Sequence, residues 1–283
     1  MHFPALLTAL FIDRVLWNGP KYRNFRWLRG YLAWWLRLPF IKPARTSSWL
    51  SLIPVLPLVL VVGWLQASLF HATGPVLEFA FATAVLLFSL GPGDSGRDVE
   101  QYVEALGSGD IETAENLAGA SMPGATTAPD ALDNRMRDRL LISVCTRYIG
   151  PLVWFAVFGP AGAAAYRLAQ QTGLLLDERY HVAKPNGDRL FPLLNWAPAR
   201  LTAAGFAIAG NFDAVAAAWK QYSQNEEAFG QDDELLLATG QAALESSAGE
   251  SQVERIEDAL ALGWRSLTLW ASILGLAFLL SLL

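Results

Sequence analysis

Residues 49–70, WLSLIPVLPLVLVVGWLQASLF, contain no charged side chain. As a helix rising about 1.5 Å per residue they cover roughly 33 Å, enough for the hydrocarbon core of a bilayer. Backbone placed there must satisfy its own amides, which leaves helices or a closed barrel. A second apolar run, VLEFAFATAVLLFSL at residues 76–90, follows the short HATGP turn and ends at GPG, so the two predict a membrane hairpin. A third region, Leu140 to Ala169, holds LVWFAVFGPAGAAAY, in which Gly159 and Gly162 would let another helix approach closely. The last run is Ser266–Leu283. The expected fold is all-α: a polytopic membrane helical bundle of four to six segments, with cytoplasmic amphipathic helices.

Length alone would admit one or two soluble domains. With 53% hydrophobic and 17% charged residues gathered into such runs, residues 1–283 are instead expected to form a single integral membrane domain. The opening MHFPALLTALFIDRVLW lacks a basic leader and a small-residue cleavage site, so a removable signal peptide is not expected. Residues 3–17 are apolar but interrupted by Asp13-Arg14, and residues 198–218 are alanine-rich, suiting a packed or re-entrant helix. Pro54 and Pro57 should bend the first long span, whose Trp49 and Trp64 suit the interface or a packed position.

Residues 18–48 carry Lys21, Arg23, Arg26, Arg29, Arg37, Lys42 and Arg45 and no acid. The positive-inside rule puts this basic loop in the cytoplasm of a multi-pass inner-membrane protein. Its interleaved aromatics, Trp27, Tyr31, Trp34 and Trp35 among them, predict an interfacial helix on anionic lipid. The polar helical loops are residues 91–139 and 211–265. In the first, DVEQYVEALGSGDIETAENLAG reads as two amphipathic helices broken at residues 107–110, with Asp110 capping the second. SMPGATTAP reads as a linker, and NEEAFGQDDELLLATGQAALESS as helix.

Several chemistries are disfavoured. Cys145 is the one cysteine, so no intramolecular disulfide forms, and His2, His71 and His181 have no ligand spacing around them. No metal and no cofactor are expected. A net charge of −5 argues against nucleic acid as a partner. GPGDSG at residues 91–96 fits G-x-G-x-x-G, but it follows a membrane helix and Pro92 removes an amide donor; a helix stop is the expectation.

The residue that asks for an explanation is Arg200, in FPLLNWAPARLTAAGFAIAG. A helix starting at Asn195 or Ala197, with Pro198 in its first turn, puts Arg200 near the positive end of the dipole. There it needs a carboxylate, a phosphate or a lipid headgroup, or must reach water. Arg147, Tyr148, Tyr166 and Arg167 bracket the third apolar region, either as interfacial anchors or as an anion-binding cluster with Arg200. Asn195 would stand at its mouth. Asp13 is either paired with a buried cation such as Arg200 or Arg147, or wet at the interface.

FIDRVLWNGP, the basic loop, the hairpin, DVEQYVEALGSGDIETAENLAG, RYIGPLVWFAVFGPAGAAAYR and LLNWAPARL stand here in an order that resembles the AmpE family. That resemblance implies an inner-membrane protein encoded with the amidase of the β-lactamase induction system of Gram-negative bacteria. More distantly the chain is similar to the CobD/CbiB family, membrane enzymes that attach aminopropanol to adenosylcobyric acid with ATP. Asp13 with Gly19-Pro20, Leu106 through Asp110, Gly159-Pro160 with Tyr166-Arg167, and Asn195 with Pro198 and Arg200 carry that likeness. The departures are acidic: where those enzymes hold acids and amides, this chain reads VCTRYIGPL, AQQTGLLLDERY, and Phe191, Pro192, Leu193 and Leu194. ATP chemistry needs oxygen ligands for magnesium, which leucine cannot supply. Asp177 could be a displaced remnant.

The resemblance therefore implies a non-catalytic regulator of β-lactamase induction and cell-wall recycling. Its candidate anion-binding residues are Arg147, Tyr166, Arg167, Asn195 and Arg200, with Asp13 and Asp177 as acid partners. An anionic or cell-wall-derived small molecule and a protein of the same pathway are the expected partners. GPAGAAA could pack within one chain or across a homodimer. The alternative is a membrane enzyme related to the synthases with an altered substrate, in which Asp13, Asp177 or Asp188 does acid–base or metal work. A transporter ranks last, as no inverted repeat is detectable.

Overall fold

The computed structural model describes residues 2–13, 25–38, 49–72, 74–91, 95–119, 129–180, 189–224, 230–245 and 252–280. Among them all regular structure is helical. In chain order the helices are α1 (His2–Phe11), α2 (Arg26–Arg37), α3 (Leu52–Ala72), α4 (Pro75–Ser89), α5 (Ser95–Ser108), α6 (Ile111–Gly119), α7 (Pro129–Ser143), a π-helical turn (Val144–Ile149), α8 (Gly150–Phe158), α9 (Pro160–Tyr180), α10 (Leu190–Ala209), α11 (Phe212–Tyr222), α12 (Asp232–Ala243) and α13 (Gln252–Leu280). Three stretches among the described residues are long and apolar enough to cross a membrane: Leu52–Leu69, Asn134–Phe158 and Glu254–Leu280. Pro75–Ser89 is apolar but shorter. Only 11% of Leu52–Leu69 is buried within the protein, against 61% of the most apolar 18 residues inside Asn134–Phe158, so the first leaves most of its surface uncovered by the rest of the chain.

The helices fall into two compact units. The first comprises residues 1–92, 150–196 and 277–283. Its core joins Leu28 and Leu32 of α2, Val55 of α3, Leu168 and Leu175 of α9 and Leu190 of α10. Here the third apolar region departs from the expected single span. It breaks at Gly159, whose φ of 66° suits glycine alone, and α9 restarts on Pro160. GPAGAAA is therefore a hairpin corner. Gly162 lies so close to the Trp154 carbonyl that a β-carbon would overlap it, which makes the close approach an intrachain one. The opening of α9 is tied to α3 by the Ala161 amide, which donates to Gln66 Oε1 at 3.2 Å.

α10 begins five residues ahead of the expected Asn195, at Leu190, and Pro198 lies inside it. A proline there removes the amide that would bond the carbonyl four residues back, that of Leu194. The indole Nε1 of Trp154 donates to that carbonyl at 2.9 Å. The helix runs through its proline because a side chain replaces the missing donor. Arg200 consequently stands in mid-helix, far from the positive end of the dipole, and Asn195 is not a cap.

The second unit comprises residues 93–149 and 197–276. α5 and α6 break at Gly109, with φ 75°, and Asp110 caps α6 as expected: its carboxylate accepts from the Thr113 amide at 3.1 Å and hydroxyl at 2.6 Å. The 198–218 segment is two helices, not one. They turn at Gly210, where a β-carbon would press on Ala243, and Asn211 Oδ1 caps α11 through the Ala214 amide at 3.2 Å. α13 starts well ahead of the expected Ser266, and its Gly263 accommodates Val144 of the π-helical turn. The SMPGATT linker and residues 225–229 lie outside the described residues.

Two predictions follow from this geometry. Trp154→Phe should destabilise the protein by about 1–3 kcal/mol, because the Leu194 carbonyl then lacks both donors. In a Pro198→Ala background, where an amide is restored, the same change should cost measurably less; a double-mutant cycle on thermal unfolding in detergent reads the coupling. The two Thr113 bonds hold the Asp110 carboxyl below its ordinary value. A lowered folded pKa gives a contribution present at neutral pH and lost as pH falls through that folded value. Amide-exchange protection of α6 should therefore fall only below the usual aspartate range, and Asp110→Ala should abolish that dependence.

Candidate functional site

The five predicted anion-site residues divide between the units: Tyr166, Arg167 and Asn195 stand in the first, Arg147 and Arg200 in the second. In the first unit the Tyr166 hydroxyl donates to Asn195 Oδ1 at 2.7 Å, and both side chains are buried. The ring packs on Phe191, with centroids 5.5 Å apart, and lies against Gly150, where a β-carbon would overlap it. Gly150 opens α8 with no side chain because the phenol occupies that space. Asn195 is thus an interior acceptor, whereas the sequence suggested a polar group at a mouth.

Arg167 is 5% exposed, and its Nε donates to the Ser89 carbonyl while Nη1 donates to Gln170 Oε1. Ser89 closes α4, so the guanidinium sits at the negative end of that helix and serves one of its terminal carbonyls. Gly91, with φ 78°, ends the helix beneath it, and a β-carbon there would come within 2.9 Å of the guanidinium carbon. The expected helix stop at GPG is in place at Gly91; residues 92–94 lie outside the described residues.

In the second unit Arg200 Nη1 meets Asp232 Oδ1 at 3.1 Å. Asp232 is 4% exposed and opens α12, where the helix dipole favours an anion. Tyr222, the last residue of α11, closes the cluster: its hydroxyl donates to the Gln231 carbonyl at 3.2 Å. Burial pushes the phenol up, and the Asp232 charge adds to it. The sequence left a carboxylate, a phosphate, a lipid headgroup or water open for Arg200, on a helix start that proved to lie elsewhere; the structure supplies a carboxylate. The available signal was Gly230 followed by QDDE, an acidic helix start with a φ of 92° at the glycine. Arg147 belongs to the π-helical turn and is 8% exposed, with its guanidinium carbon 5.0 Å from the centroid of the Tyr148 ring. Tyr148 in turn packs on Trp264 at 5.6 Å.

Of the candidate acids, Asp13 is half-buried in the turn that follows α1. Asp177 stands on α9, but its side chain lies outside the described residues, as do His181 and Asp188 altogether. Among the described residues no three histidine, cysteine, aspartate or glutamate side chains converge as a metal site would require. The guanidinium groups of the arrangement meet partners within the protein: a helix-end carbonyl, a carboxylate and an aromatic ring.

Comparison with known proteins bears on what this arrangement serves. No solved structure matches the chain. A cobalamin biosynthesis protein CobD from Chromobacterium violaceum is 27% identical over 181 residues, covering 62% of this chain. The match spans 57% of that protein's own length, little more than half. Far wider is the match to the family described as regulatory signalling modulator protein AmpE, which takes in residues 1–279. On that match, which takes in all but the last four residues, the chain belongs to the AmpE family.

Proposed function

We propose that this protein is a non-catalytic inner-membrane regulator in β-lactamase induction and cell-wall-recycling signalling, and that it responds to an anion at Arg200. The observation that carries the reading is the pairing of that family membership with a partly exposed cation that meets a buried carboxylate oxygen at 3.1 Å. The Arg200 side chain remains 23% exposed, so an anionic cell-wall fragment or an acidic segment of a pathway partner can compete with Asp232 for it. Exchange of one anion for another would free the first turn of α12. That helix end is the element whose position reports the ligand. The basic loop at residues 18–48 faces the cytoplasm in this reading.

Two features support a role without catalysis. Where the resemblance to the synthases calls for aspartates ahead of Asn195, Phe191 packs on Tyr166 and Leu194 accepts the Trp154 indole. Both positions serve packing and backbone satisfaction, and neither offers oxygen ligands from its side chain for magnesium and phosphate.

Arg200→Gln should leave the protein in the membrane, destabilised by on the order of 2 kcal/mol through loss of the charge that faces the buried Asp232 carboxylate. It should also remove antibiotic-dependent β-lactamase induction from cells that depend on this copy, while Arg200→Lys retains part of it. Induction unchanged in the glutamine variant would refute the assignment of Arg200. Purified protein that formed an amide on cobyric acid with consumption of ATP would refute the non-catalytic reading.

A further inference from the structure

α2 presents two unlike faces. Leu28, Leu32 and Leu36, spaced four residues apart, are 0%, 1% and 9% exposed and pack inward. On the outer side Arg26, Arg29, Gly30 and Arg37 are exposed, and Trp27 and Trp34 are exposed at 46% and 55%. The helix contains no acid. Ordinary burial accounts for the leucines but leaves an outer face of three cations and two indoles.

The depth of this face is fixed by what the inner face touches. The Tyr31 hydroxyl donates to the Pro54 carbonyl at 2.9 Å, and Leu28 and Leu32 share a cluster with Val55. Leu36 packs with Leu50. All three partners lie within a few residues of Leu52, where the first long apolar span begins. Beyond that start the span exposes Leu56, Leu60, Val61 and Trp64, large apolar side chains that suit hydrocarbon and not water. α2 is therefore tied across the opening turn of the span, at the level where hydrocarbon gives way to headgroups. Tryptophan favours that level, and guanidinium groups there meet phosphate.

We propose that the outer face of α2 is a docking surface for anionic phospholipid headgroups, with Arg26, Arg29 and Arg37 on the phosphates and Trp27 and Trp34 in the interface. It fixes the depth of the first unit's span in the leaflet that the basic loop faces. Charge complementarity selects the occupant: three exposed cations on a helix whose own sequence contains no acid match a negative surface. The proposal stands independently of what Arg200 binds.

Gly30 provides the test, because a β-carbon there would have nothing within 4 Å, and the single native thiol, Cys145, is buried. Full-length Gly30→Cys protein carrying a nitroxide label is placed in nanodiscs of phosphatidylcholine with and without phosphatidylglycerol. Collision with dissolved oxygen and with a water-soluble nickel complex then reads its depth. The expected result is headgroup-level accessibility that becomes less nickel-accessible, by about twofold, when phosphatidylglycerol is present. Adding Arg26→Gln, Arg29→Gln and Arg37→Gln should remove that lipid response, and high salt should weaken it in the native background. Full nickel accessibility in both lipids would overturn the proposal, and so would a lipid response that survives the triple change and salt. Dipolar broadening between labels would assign the face to a second copy instead.

Discussion

The carbonyl of Leu194 is the point on which much of this architecture turns. Its helical donor is missing because residue 198 is proline, and a carbonyl partly withdrawn from solvent is costly to leave unmatched. The indole of Trp154 supplies the donor from α8. Because that bond lets α10 continue, Asn195 is placed inside the first unit to receive Tyr166. The same continuity carries the chain on to Arg200 and its carboxylate in the second.

The positive charges show a common economy. Arg167 serves the end of α4, Arg200 is matched by Asp232, and Arg147 lies over an aromatic ring. Each is desolvated largely by the protein and compensated by it. An anion that bound at one of these groups would have to compete with an internal partner, and at Arg200 such competition would bear on the helix that supplies Asp232.

How far the sequence discloses this depends on whether a feature is local. The apolar runs at residues 52–69 and 75–89 follow from hydrophobicity alone, and the break at residues 107–110 follows from glycine and aspartate chemistry. The start of α10 was misread because Pro198 ordinarily marks a first turn; the compensating donor lies 40 residues away on another helix. The corner at Gly159-Pro160 was hidden inside an apolar stretch, where hydrophobicity outweighs punctuation. Asp232 could not be assigned to Arg200, since the whole of α11 intervenes. Local rules put Arg200 at the wrong place on its helix, and only tertiary packing identifies the carboxylate it meets.

The bareness of Gly162 has a mechanical meaning. The backbone of Trp154 rests directly on that glycine, while the ring of the same tryptophan reaches out to the carbonyl beside the proline of α10. Trp154 is thereby a strut clamped at both ends, with no slack at either. The turn between α8 and α9 and the one place in α10 where proline withholds an amide are thus held by a single residue, so a change at Trp154 would touch both at once.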